Sequence, residues 1–448
     1  MSDAAEAVGS DHTRGHERAV APLPERSGPL TDVRIIDLTA ALAGPFCTML
    51  LADMGADVIK IEPLEGEPWR LALQFIPGES KTFMSLNRGK RSLPLDLTRP
   101  EASDIIRKMI PDIDVVVINA RPDVPAKLGI DYESLSAINP KIIYCDNTAF
   151  GRKGPDANRP GYDLIVQAMS GLMASEGKIK DGYPQQITST AIADYATGIA
   201  IAWGVCAALF VRERTGKGQK VDTTLLGSAL AVQTGGFMEI ESFDGELRRD
   251  VLQTLAALRE AGVPYEQVDE QYRNTLFEWR RGSIYYRTYQ AKDGVLAVAC
   301  LSDRLRKRVA DILEIDDPRF KPGFDPFDQE TIAAGEILAK KAEVLFTERT
   351  VKEWLSAFEK VGVPAGPVRY VQELLDDEQV VANDLVVDLE HSKAGPVRMV
   401  GPMISMSETP LKAQSASPAL GEHTDEILGA MGIDAETIQK LKDDGVTR

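Results

Sequence analysis

From Val33 onward short apolar runs alternate with longer amphipathic stretches, and the two periods, near 2 and near 3.6, predict the elements. Strands are expected at Val33–Thr39, Asp57–Ile61, Asp114–Asn119 and Lys141–Asn147, with helices at Pro45–Met54 and Arg99–Ile110 between them. Such alternation implies βαβ units, hence a parallel sheet with helices on its faces and an α/β fold class. Residues 162–176 carry helical spacing. Residues 195–214 form a long, almost wholly apolar helix that turns charged at Arg212, Glu213 and Arg214 and is stopped by Gly216. The texture then changes: 238–283 is rich in Glu and Arg and poor in β-branched residues, as exposed helices leading into a second domain would be. A β-rich patch, Ser283–Tyr289 and Val295–Cys300, is joined by the turn Lys292–Asp293–Gly294. Helices at 303–313, 330–346 and 350–361, strand-like runs at 366–371 and 396–404 and an amphipathic segment at 424–442 complete the chain. The expected organisation is a disordered tail (1–28), a large domain (29–225), a linker (226–250), a smaller α+β domain (251–350) and a return through 351–448 to the large domain.

Charge narrows the classes of partner. Against 51 Lys+Arg the 448-residue chain sets 68 Asp+Glu, a net charge of −17, so no general positive field holds nucleic acid or an anionic membrane. A polyanionic ligand would have to meet a local basic cluster. Cys47, Cys145, Cys206 and Cys300 lack a CxxC pairing and sit in apolar or mixed sequence, which speaks against zinc and against a disulfide framework. Met1–Gly28 is polar, without the apolar run of a secretory signal or a membrane anchor, and the expectation is a cytoplasmic protein.

The usual catalytic signatures are missing from the sequence: GxxxxGK[ST], GxGxxG after a strand, HExxH and GxSxG. Histidine is scarce, at His12, His16, His391 and His423. Asp194 stands out as the only charged side chain between Gly182 and Arg212. A carboxylate in such surroundings is costly unless paired, hydrogen-bonded or partly solvated. It could cap the helix beginning at Tyr195, or serve as a carboxylate nucleophile, and both readings can hold. A place at a helix N-terminus should lower its pKa and keep it ionised. Tyr162–Asp163, after the turn at Gly161, is a second candidate, as a cap or as part of a site. The third is Asn87–Arg88–Gly89–Lys90–Arg91, either a solvated face or a phosphate contact with the glycine permitting close approach. Thr215–Gly216–Lys217–Gly218–Gln219 reads as a helix stop.

Taken in order, VRIIDLTAALAGPFCTMLLADMGADVIKIEPLEGEPWR (33–70), NRGKRSLPLDL (87–97), DVVVINARP (114–122), KLGIDYESLSAINPKIIYCDNTAFGRKGP (127–155), GYDLIVQAMSGLM (161–173), IADYATGIAIAWGVCAALFVRERTGKGQKVD (192–222) and GEHTDEIL (421–428) resemble the class III CoA-transferase family. That family includes formyl-CoA transferases, carnitine-pathway transferases and α-methylacyl-CoA racemases. The resemblance implies a large Rossmann-like domain built from both chain ends, a smaller domain from the middle, and two chains interlocked as rings. It implies that Asp194 is the nucleophile, forming an acyl–aspartyl anhydride, with Asp163 and Tyr162 in the same site. It implies that CoA is met by Ala40, Ala41 and Leu42, by Asn119 and Arg121 of the 114–122 segment, and by Arg70 or the cluster Arg88, Lys90 and Arg91. Leu42 stands where the oxalate enzymes have a glutamine, Pro63 where some relatives have an arginine, and the glycine-rich lid has no counterpart between 235 and 290. Coenzyme A thioesters would be substrates, with no permanently bound cofactor and no metal. The partners implied are an acyl-CoA, succinyl-CoA for instance, and a carboxylic acid, with Arg280, Arg281 and Arg287 as acid contacts, in a homodimer or a heteromer with a paralogous subunit. Two alternatives remain. One is a 2-methylacyl-CoA racemase, in which a histidine would precede the site aspartate where Tyr162 stands. The other is a non-catalytic partner subunit.

Overall fold

The computed structural model describes residues 26–187, 190–277, 283–323, 325 and 328–448. Arg280 and Arg281, like His12 and His16 in the N-terminal tail, lie outside the described residues. The chain divides into two units. One takes in the chain up to Ser175, Gln186–Phe237 and Ala382–Arg448; the other is Glu176–Gln185 with Met238–Val381.

The first unit is built on six strands: β1 (Arg34–Leu38), β2 (Asp57–Glu62), β3 (Lys90–Pro94), β4 (Val115–Ile118), β5 (Ile143–Thr148) and β6 (Gln219–Thr224). All pairs are parallel and the spatial order is β6-β5-β4-β1-β2-β3. The chain therefore winds outward from β1 in one direction, then returns to β4 and winds in the other. In an open α/β sheet the crevice beyond the carboxyl ends of the strands at such a reversal, here between β1 and β4, is where ligands bind.

Burial on both faces explains the apolar runs. Alternate residues Ile36, Ile59, Val116 and Ile118 meet α2 (Pro100–Met109) through Ile105, Ile106 and Met109, joined by Ile427, Leu428 and Ile438 from the chain's end. The intervening Ile35, Val58, Val115, Val117 and Ile143 meet α1 (Ala43–Asp53) and α4 (Ile192–Thr215) through Leu51, Ile201, Val205 and Leu209, with α3 (Asp163–Met169) preceding α4. Among the described residues α4 is the one helix long and apolar enough to cross a membrane, at 24 residues. Here one of its faces joins the core, while Trp203 and Phe210 on it are exposed.

Three expectations change. β3 and β6 were not foreseen, because their first residues, Lys90 and Arg91 in one and Gln219 and Lys220 in the other, are polar or charged, and such residues at a strand position read as loop unless the partners are known. The segment expected as a linker holds the helix Leu225–Ala231, while the exposed helices expected over 238–283 are present as Glu241–Glu260 and Tyr265–Phe277, and the second unit runs past 350 to Val381. It does so because Ala365–Pro367 adds a third antiparallel strand to Tyr286–Gln290 and Val295–Ala299, while Trp354 and Phe358 pack with Phe346 and Tyr289 in that unit's own core.

Candidate active site

β1 carries Asp37 near its carboxyl end, wholly buried, where Lys60 lies 3.8 Å and Lys90 3.0 Å away. Burial disfavours the charged carboxylate, but the two ammonium groups and the Thr39 and Thr48 hydroxyls more than compensate, so Asp37 sits far below the usual carboxylate range. Lys90 is pushed down to about 8 by burial, partly offset by Asp37. Lys60 donates to the Thr39 carbonyl at 2.8 Å. Asn119, just past β4, accepts the Ala40 N–H at 3.0 Å and donates back to the Ala40 carbonyl at 2.7 Å. Glu67 accepts the Ala41 N–H at 3.0 Å. Ala41 adopts a left-handed φ of 66°, which costs an alanine about 1–2 kcal/mol and persists only where its surroundings impose it. The loop Ala40–Leu42 is thus held at the reversal point of the sheet by side chains from β2, the loop beyond it, and the end of β4.

The second half of the site lies where α3 and α4 begin. Ala191, at the cap of α4, offers no side-chain acceptor, and Asp194 occupies the third helical position. Asp163 fills the vacancy from thirty residues away: its Oδ1 accepts the N–H of Ala193 at 2.9 Å and of Asp194 at 3.3 Å. Gln167, one turn along α3, donates its amide to Asp163 Oδ2 and accepts the Ile187 N–H at 2.9 Å. Capping was foreseen for both carboxylates, yet neither caps its own helix: the cap of α3 is Tyr162, whose side chain makes no capping bond. Asp194 itself is half-buried, and its pKa, expected to fall, is raised to about 7, first by burial and then by the negative charge of Asp163. Desolvation and a like charge together outweigh the helix dipole at this third position of α4.

The two halves meet. Ala43, Val166 and Ala193 share one buried cluster with Leu225, and Ala149 just past β5 packs against it. Phe46 of α1 meets the Tyr195 ring edge-on at 4.8 Å between centroids. Gly198 is required there, since a Cβ on it would lie 2.8 Å from the Ala43 carbonyl oxygen. Tyr162 is 73 % exposed.

The cations expected to hold a nucleotide have another occupation. Arg70, Arg88, Lys90 and Arg91 are only 0–3 % exposed. Arg88 forms a two-pronged pair with Asp53 (2.9 and 2.6 Å), Arg91 with Asp57 (2.9 and 2.5 Å), and Arg70 with Glu62 (2.8 and 3.0 Å) while also reaching Glu79 at 3.1 Å. Lys90 bonds Asp37, the Pro45 carbonyl and Asn87. These charges face carboxylates rather than solvent, Lys90 and Arg91 because β3 is buried and Arg70 and Arg88 because the stretches before it turn them inward. Arg121, by contrast, is exposed beside the reversal point and enters none of the described ion pairs. Removing one member of a buried pair strands the other, so Arg88→Ala should lower stability by about 3–5 kcal/mol in denaturant unfolding. A phosphate contact would instead weaken CoA binding and leave stability nearly unchanged. Arg287, offered as an acid contact, bonds Glu343 at 2.6 Å. Sequence reasoning passed over Lys60, Glu67 and Gln167; the one available signal was a lysine inside the apolar alternation of β2.

Fold and site together define an open α/β protein that keeps a half-buried carboxylate of raised pKa at the start of α4. The model of CoA-transferase family III matches residues 30–424, and the chain belongs to that family and is a CoA-transferase. It is 35 % identical over 432 residues to a succinate–glutarate CoA-transferase of Agrobacterium fabrum, covering 93 % of this chain and 98 % of the relative. With a succinyl-CoA:glutarate CoA-transferase of Mus musculus it shares 32 % over 425 residues, 93 % of this chain and 90 % of the other. A crystal structure of a CAIB/BAIF family protein from Brucella suis superposes with a TM-score of 0.70 at 30 % identity, covering 90 % of this chain and all of that one.

Proposed function

We propose that this protein moves coenzyme A from succinyl-CoA to a dicarboxylic acid of the glutarate class through a covalent anhydride on Asp194. The observation that carries this reading is the state of Asp194: half-buried, held by its backbone from Asp163, with a pKa near 7. Such a carboxylate is ionised in substantial part at neutral pH, yet poorly solvated and so more basic than an exposed one. Its oxygen attacks the thioester carbonyl carbon, the C–S bond breaks, and CoA leaves as thiolate with the bonding pair. The thiolate then returns to the Asp194 carbonyl, releasing the first acid and leaving an aspartyl-CoA thioester. The acceptor carboxylate attacks that thioester, and the thiolate finally attacks the new acyl group, freeing Asp194. The choice of acids rests on the names of the two relatives above.

Asp163 and Gln167 hold the start of α4 in this reading, and Tyr162 borders the site. Ala40, Ala41, Leu42 and Asn119 border the crevice that takes CoA. Arg121 is the cation placed to meet a CoA phosphate, and Arg70, Arg88, Lys90 and Arg91 act structurally. Arg121→Glu should then raise KM for the acyl-CoA about tenfold, the worth of one charge-assisted bond, with little change in kcat in steady-state assays. The exposed Trp203 and Phe210 suit a second copy, interlocked with the first as in the resemblance. A two-base racemase would require an imidazole by the carboxylates, whereas His391 faces Glu79 and His423 accepts the Ser92 N–H.

The test is to incubate the enzyme with succinyl-CoA, quench into hydroxylamine and map the digest by mass spectrometry. A donor-dependent hydroxamate on the peptide bearing Asp194 is expected. An active enzyme that never shows it would end the covalent reading.

A further inference from the structure

Glu67 is a buried anion whose side chain has one described hydrogen bond, accepted from a backbone amide. Its side chain is 1 % exposed, Oε2 accepts the Ala41 N–H, and Oε1 finds no hydrogen bond, standing 3.8 Å from Lys60 Nζ. Burial of a carboxylate for a single neutral donor is costly, and nothing about packing requires it, since an apolar side chain would fill the same space. What the arrangement does achieve is local. Lys60 takes the Thr39 carbonyl, Asn119 both polar groups of Ala40, and Glu67 the N–H of Ala41. Three consecutive residues thereby have their peptide groups fixed by three side chains from separate stretches of chain. Ala41, the last of the three, is left-handed, a conformation an unrestrained alanine leaves.

We infer that Glu67, together with Lys60, is a positioning residue for CoA binding, fixing the backbone of Thr39–Leu42 in one conformation at the crevice between β1 and β4. This rests on the reading that the crevice takes CoA. A loop already ordered in its binding conformation loses less entropy when the ligand arrives, so the effect belongs in affinity and not in the chemical step. The carboxylate is needed for its acceptor oxygen, and the lysine is what allows that oxygen to be buried.

The experiment compares wild type with Glu67→Gln and Glu67→Ala, measuring CoA affinity by calorimetry, kcat at saturating donor, and hydroxylamine capture at Asp194 on the same preparations. Glu67→Gln keeps an oxygen facing the Ala41 N–H and should hold CoA within threefold of wild type. Glu67→Ala should weaken CoA at least tenfold while kcat at saturation stays within threefold. Equal CoA affinity in wild type and Glu67→Ala, or a Gln variant as impaired as the Ala variant, overturns the inference. Should Glu67→Ala not fold, Ala41→Pro breaks the same contact from the half-exposed loop, where Pro excludes both the N–H and the left-handed φ. A tenfold loss of CoA affinity is again expected there, and none overturns the inference. Failure of capture at Asp194 with these affinity changes intact would instead strike the anhydride mechanism alone.

Discussion

Asp194→Asn will fold, become more stable, and lose CoA transfer. The amide cannot attack a thioester, so kcat should fall by at least about 10³-fold, as when a covalent nucleophile is removed from a site that still binds its substrates. The gain in stability follows from the raised carboxyl pKa of about 7. Below about pH 4 the group is protonated in the folded and unfolded chain alike and contributes nothing. As pH rises towards 7 the unfolded carboxyl ionises while the folded one resists, and folding is penalised by a growing amount that is complete above pH 7. At about 1.4 kcal/mol for each pH unit of displacement the ceiling is ~4 kcal/mol, and partial solvation of the side chain makes about 2–4 kcal/mol the working range. Urea unfolding of wild type and variant at pH 8 and pH 4.5 will show the difference at the first and most of it gone at the second. Wild-type transfer rates in a folded Asn variant would remove Asp194 from the chemistry.

Asp163 has the next largest expected effect, and two substitutions separate its charge from its geometry. In wild type, kcat/KM should climb tenfold per pH unit on the acid side and level off near pH 7, as Asp194 loses its proton. Asp163→Asn keeps an oxygen able to accept the Ala193 and Asp194 N–H groups but removes the like charge. Asp194 then ionises more easily, the acid limb moves to lower pH, and activity at pH 6 should exceed wild type several-fold relative to the plateau. Asp163→Ala removes the acceptor altogether. It leaves the first amides of α4 unpaired in a buried place, which should cost about 1–2 kcal/mol of stability and lower kcat by one to two orders of magnitude through misplacement of Asp194. If the acid limbs of wild type and Asp163→Asn coincide, the coupling of the two carboxylates is wrong.

Local chemistry made much of this legible beforehand. The β-branched runs at 34–38, 57–62, 115–118 and 143–148 alternate two apolar faces because each is covered by helices, and alternation survives in the sequence whatever the partner. The isolation of Asp194 in apolar sequence was likewise visible, since desolvation begins with the immediate neighbours. The tertiary structure decided what depends on distant partners. Arg88, Lys90 and Arg91 look like a phosphate-binding cluster until Asp53, Asp37 and Asp57 are brought against them by neighbouring elements. Asp163 looks like the cap of its own helix until α4 presents two unpaired amides to it. The direction of the Asp194 shift reversed for the same cause, because the Asp163 charge and the covering side chains arrive only on folding. Hydrophobic periodicity is a property of consecutive residues and is written along the chain, whereas the energy of a charge is set by whatever stands within a few ångströms of it, which here is chain brought in from elsewhere in the sequence.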